Sequence, residues 1–199
     1  MIRVLIADDQ GLLVGALSAL LNLEKDIEVV ATCRTGDGVV DAVREHNVDV
    51  ALLDIEMPGR TGLELAADLA GSPCKVVIVT TFGRPGYLRT ALEAGAAGFI
   101  VKDTPPDQLA DAVRRAHAGM RVVDPQVAEE SLFTPPSPLT AREVEVAREA
   151  LTGAEIKQIA ARLNLSTGTV RNHISAIMTK TGAPNRYAAA RTCNDNGWL

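Results

Sequence analysis

A chain of 199 residues with 47% hydrophobic and 23% charged residues has the composition of a packed globular protein, which excludes intrinsic disorder and leaves room for one large domain or two small ones. Its net charge of -5 conceals an asymmetry: residues 1–118 carry 17 acidic against 11 basic side chains, while from Lys157 onward six basic residues stand against Asp195 alone. That imbalance is expected of an acidic module joined to one that meets nucleic acid.

The chain opens on an apolar run ending in Asp8 and Asp9, unlike the basic, apolar and small-residue sections of a secretory signal. No apolar run approaches the roughly 20 residues that span a bilayer. The expected location is the cytoplasm, without membrane insertion. Cys33, Cys74 and Cys193 are odd in number and far apart, which predicts neither a disulfide framework nor a zinc site.

Residues 3–7, 27–32, 49–53, 75–80 and 98–101 are short runs rich in Val, Ile or Leu, as buried parallel strands are. Between and after them, residues 12–23, 36–45, 62–70, 85–94 and 106–118 read as amphipathic helices. Five strand-helix repeats predict a five-stranded, doubly wound parallel α/β sheet, whose ligands sit beyond the carboxyl ends of the strands. Asp8 and Asp9 follow the first of these strands, Asp54 the third, Thr80 and Thr81 the fourth and Lys102 the fifth. Three converging carboxylates repel one another unless a cation compensates. Mg²⁺ suits them, because it takes hard oxygen ligands and commonly shares them with phosphate. Metal, hydroxyl and ammonium together can hold a phosphoryl group in transfer to a carboxylate.

Asp8-Asp9, Asp54-Ile55-Glu56-Met57-Pro58-Gly59, Thr80 and Lys102 resemble the signature of response-regulator receiver domains, over roughly residues 1–118. The resemblance implies a flavodoxin-like fold with Asp54 as phosphoacceptor, Mg²⁺ held by Asp8, Asp9, Asp54 and the backbone carbonyl of Glu56, and Thr80 and Lys102 on the phosphoryl oxygens. It places Phe99 at the aromatic switch position. Asp103 departs from the proline that many receivers carry after the lysine.

Beyond Gly119, residues 124–132 predict a short helix, and Phe133-Thr134-Pro135-Pro136-Ser137-Pro138 removes backbone donors and fixes backbone angles. Residues 119–138 are read as a semi-rigid linker. A second domain, residues 139–199, then begins with Thr140 and Glu143 at capping-box spacing. It is all helical. Ile156, Ile159, Ala160 and Leu163 mark the buried face of one helix, Asn164-Leu165-Ser166 a turn, and Val170, Ile174, Ile177 and Met178 the core stripe of the next. Arg171, Asn172 and Ser175 point the other way, the arrangement of a helix-turn-helix that reads the major groove. Arg suits guanine, Asn adenine, and Ser either, while Lys180 and Arg186 suit phosphates.

Leu139 to Val146, Ile159-Ala160, Leu165-Ser166, Thr169-Val170-Arg171-Asn172-His173-Ile174 and Asn185-Arg186 resemble the LuxR-type output domain. Both resemblances together identify the chain as a member of the NarL/FixJ class of response regulators. This implies a cytoplasmic transcription regulator rather than an enzyme, phosphorylated by a sensor histidine kinase, dimerising on activation, and binding double-stranded promoter DNA through Thr169, Arg171, Asn172, Ser175, Lys180 and Arg186. RNA polymerase is a further implied partner. Residues 20–24, 80–87 and the Gly197-Trp198 ending are most similar to a branch that regulates membrane-lipid desaturation. Ala154-Glu155-Ile156 and Thr181 depart from the usual output pattern.

Two other readings stay open at this point. Glu56 lies two residues past Asp54, the acid spacing of a Mg²⁺-dependent phosphohydrolase with an aspartyl nucleophile, although Asp8-Asp9 fits that chemistry poorly. A regulator that dimerises and binds DNA without phosphorylation is the other, and the complete acidic set argues against it.

Overall fold

A computed structural model describes residues 1–81, 85–131 and 136–199. Phe82, Gly83 and Arg84, within the desaturation-branch motif, and the linker residues Leu132 to Pro135 lie outside the described residues. The chain divides into two compact units, the first built on a β-sheet and the second entirely helical.

The sheet comprises β1 (Ile2–Ala7), β2 (Ile27–Cys33), β3 (Val50–Leu53), β4 (Lys75–Thr80), β5 (Gly98–Val101) and β6 (Val122–Val123). Their order is β2-β1-β3-β4-β5-β6, and every pairing is parallel. The winding reverses between β1 and β3, which opens a crevice at their carboxyl ends. α1 (Gly11–Leu21), α2 (Val39–Glu45), α3 (Gly62–Leu69), α4 (Pro85–Glu93) and α5 (Pro106–His117) follow the first five strands in turn. β1, β3 and β4 are almost wholly buried, which is why they read as continuous apolar runs rather than alternating ones. Val4, Ile6, Leu52, Val77 and Ile100 pack there with Val14, Leu17 and Val113 from α1 and α5.

The structure corrects the expected strand count from five to six. β6 lies in the segment read as linker, where it pairs Gly98 with Val122 and Phe99 with Val123. Two residues are too few to show a period, so no sequence pattern announces it. α6 (Pro125–Ser131) follows, its start held by the Asp124 carboxylate, which accepts from the Gln126 N–H at 2.9 Å. α2 begins later than its predicted residue 36. Gly36 donates its N–H to the Pro58 carbonyl at 2.9 Å, and a Cβ there would stand 1.9 Å from the Arg60 carbonyl oxygen. The turn before α2 is thus committed to packing on the β3–α3 loop.

The second unit holds α7 (Ala141–Leu151), α8 (Ile156–Arg162), α9 (Thr167–Thr181) and α10 (Arg186–Asp195). The Thr140 side chain accepts from the Glu143 N–H, and the Glu143 carboxylate accepts from the Thr140 N–H at 2.6 Å, completing the expected capping box. Ile159, Val170, Ile177, Ala189 and Cys193 are buried in the core of this unit.

Candidate functional site

Hydrogen bonds of the ladder run one residue beyond the strands and so fix the rim. The Asp8 N–H donates to the Cys33 carbonyl at 3.1 Å, the Asp54 N–H to the Ala7 carbonyl at 2.9 Å, and the Lys102 N–H to the Thr80 carbonyl at 2.7 Å. Asp8, Asp54 and Thr80 are buried, Asp9 is exposed, and one carboxylate oxygen from each of Asp8, Asp9 and Asp54 lies within 4.8 Å of the others. Lys102 Nζ bridges two of them, 2.7 Å from Asp8 Oδ2 and 3.0 Å from Asp54 Oδ2.

Burial pushes the Asp54 carboxyl above its ordinary value; Lys102 and the Ile55 N–H draw it back, and the Asp8 charge adds to the rise. Burial also opposes the charge on Lys102, but its bonds to Asp8 and Asp54 outweigh that cost and raise its pKa. One ammonium thus serves two carboxylates while the third faces solvent. This is a hard-oxygen donor set with negative charge in excess, and it fits Mg²⁺.

Of the two candidate threonines, Thr80 is buried at the rim and Thr81 is exposed. Phe99 is fully buried in the middle of its strand pairing with Ile78. The Glu56 side chain is exposed.

In the second unit Ser166 caps α9 by accepting from the Thr169 N–H at 3.0 Å, and the two hydroxyls lie 2.8 Å apart. Val170, Ile174 and Ile177 face the core, while Arg171, Asn172 and Ser175 are exposed on the opposite side. Arg186 is the first residue of α10 and half-buried. Lys180 is already engaged: its Nζ lies 2.6 Å from Oε2 of the buried Glu143. Burial opposes the Glu143 charge, but Lys180 and Thr140 hold its carboxyl below the ordinary range. Nothing in the sequence signals this pair, whose members lie 37 positions apart.

The response regulator receiver model matches residues 4–114, and the model of bacterial regulatory proteins of the luxR family matches residues 137–193. The chain is a NarL/FixJ-type response regulator. It is 46% identical to the transcriptional regulatory protein DesR of Bacillus subtilis, over the full length of both. It is 35% identical to the transcriptional regulatory protein UhpA of Escherichia coli, again over both chains. Among solved structures it resembles the response regulator ChrA of a heme-sensing two-component system, with 34% identity, a TM-score of 0.59 and coverage of 100% of this chain and 98% of that one. RcsB dimers bound to DNA share the fold, with a TM-score of 0.66 at 22% identity and 98% of each chain covered. No described helix of the regulator is long and apolar enough to cross a membrane.

Proposed function

We propose that a sensor histidine kinase phosphorylates Asp54 and that the phosphoryl group controls dimerisation and sequence-specific promoter binding. The observation that carries this reading is Lys102 Nζ poised on both Asp54 and Asp8, with Asp9 completing the acidic set. Asp8, Asp9, Asp54 and the Glu56 carbonyl would hold Mg²⁺, which would neutralise charge on the phosphoryl oxygens. Lys102 pairs with a second oxygen, and the Thr80 hydroxyl closes on a third. The added charge of about -1.5 to -2 biases a two-state packing that runs through Thr80 and Phe99.

The regulatory domain is assigned to residues 1–118, the connecting segment to 119–138 and the DNA-binding domain to 139–199; β6 and α6 give part of the connecting segment its own structure. On α9, Arg171, Asn172 and Ser175 read base edges, with Thr169 at the helix start, and Arg186 meets phosphate. Lys180, expected at a phosphate, is exposed but tied to Glu143, and we read it as a strut between α7 and α9. Homodimerisation is supported by α1: it carries no charged residue, and Leu12 and Leu20 are exposed, as is Leu23 just beyond it. Such an apolar patch marks an interaction surface. The resemblance to DesR favours membrane-lipid desaturation genes as targets, read in the cytoplasm with RNA polymerase as a further partner.

Incubation with labelled acetyl phosphate and Mg²⁺ tests the reading. Wild type is expected to retain label and bind its operator more tightly, and Asp54→Asn to do neither. Sustained hydrolysis of small phosphate esters would point to a phosphohydrolase instead, and equal operator binding by both proteins to control without phosphorylation. Footprinting upstream of the desaturase genes tests the target.

A further inference from the structure

We infer that Arg34 is a positioning residue for the acidic pocket, clamping the turn that carries Asp8 and Asp9 from outside. Its Nε and Nη2 both donate to the Asp9 carbonyl oxygen, at 2.9 and 2.5 Å. The neighbouring residue holds the preceding one, since the Cys33 carbonyl accepts the Asp8 N–H at 3.1 Å. Two consecutive residues at the end of β2 thus grip two consecutive residues at the end of β1. From within, Asp8 Oδ1 accepts the Gln10 N–H at 2.8 Å. Asp9 is the exposed member of the acidic set, so packing does little to fix it, and the guanidinium supplies the missing restraint.

Gly11 makes the clamp fit. A Cβ at that position would stand 2.1 Å from Arg34 Nη1 and 2.8 Å from Cζ, so the guanidinium occupies space that any side chain at residue 11 would take. Among the described residues no carboxylate pairs with Arg34; its bonds go to a neutral carbonyl. A cation beside a cation site has two opposed effects. Its charge repels Mg²⁺, whereas its grip holds Asp9 ready. The charge is exposed and screened, so the grip dominates.

This inference deepens the phosphorylation reading and rests on its metal site, and calorimetric Mg²⁺ titration of the unphosphorylated full chain tests it. Arg34→Ala is expected to weaken Mg²⁺ binding by ~10-fold, the lower end of what losing an outer-shell partner costs a metal site. Arg34→Lys, with one point donor in place of the fork, should recover part of it. Gly11→Ala keeps the charge and displaces the guanidinium, so it should weaken binding similarly, and adding it to Arg34→Ala should change nothing more. Thermal unfolding of the metal-free variants should match wild type, which separates positioning from a general structural role. Unchanged or tighter Mg²⁺ binding in Arg34→Ala, or wild-type binding by Gly11→Ala, would overturn the inference; a wild type that binds no Mg²⁺ would overturn it together with the metal site. Normal Mg²⁺ affinities with no label on Asp54 would sink the phosphorylation reading and leave the clamp standing.

Discussion

Lys102 holds together two carboxylates that would otherwise repel each other out of water, and its contribution can be read from stability. Breaking a buried ion pair costs about 3–5 kcal/mol, because the partners stay buried and uncompensated. Lys102→Met should therefore lower urea-unfolding stability by about that much in chelator, with saturating Mg²⁺ restoring a substantial part, whereas wild type gains less from the ion. Asp54 gives the opposite sign. Its pKa is raised in the fold, so the folded chain binds protons more readily, and stability falls as pH rises from the ordinary 3.8 through the folded value. Asp54→Asn removes that cost while leaving Lys102 on Asp8 at 2.7 Å. Without divalent ions it should be more stable than wild type at pH 7, the gain shrinking as pH falls through that window. These residues were legible in sequence because each ends an apolar run. Arg34 was not, since its partner is a backbone carbonyl, which leaves no trace in residue type.

Helix α9 is held in place at both ends, by the Ser166 cap and by the Lys180–Glu143 pair. A phosphate contact and an internal strut differ in salt dependence. Removing a phosphate contact lowers the slope of log K against log salt by about 0.9; Lys180→Met should leave the slope unchanged and reduce unfolding stability by about 1–3 kcal/mol, the cost of a buried group losing its partner. Glu143 has a depressed pKa, so its stabilisation is present above the ordinary 4.5 and lost as pH falls through the folded value. Glu143→Gln should flatten the acid side of the second unit's stability profile, followed by circular dichroism. Among the elements, β4 and β5 match their predicted residues, because a fully buried parallel strand is a bare apolar run between polar ends. β6 and the start of α2 escaped, since one is two residues long and the other is set by the packing of Gly36 on a distant loop.

The whole molecule comprises an acidic sheet unit and a helical unit that exposes Arg171, Asn172 and Ser175 on α9, and the charge asymmetry of the sequence foretold that division. What composition cannot show is how copies meet. The uncharged α1, with Leu12 92% and the following Leu23 78% exposed, makes the proposed dimer testable: Leu12→Asp should abolish phosphorylation-dependent dimers in analytical ultracentrifugation while leaving label uptake at Asp54 intact. The pocket itself draws on the ends of β1, β3, β4 and β5, so its parts are synthesised far apart in time. A copy still emerging from the ribosome displays Asp54 long before it owns Lys102. Unfinished copies therefore lack the assembled pocket, and only a completed sheet brings the ammonium of Lys102 to the carboxylates of Asp8 and Asp54.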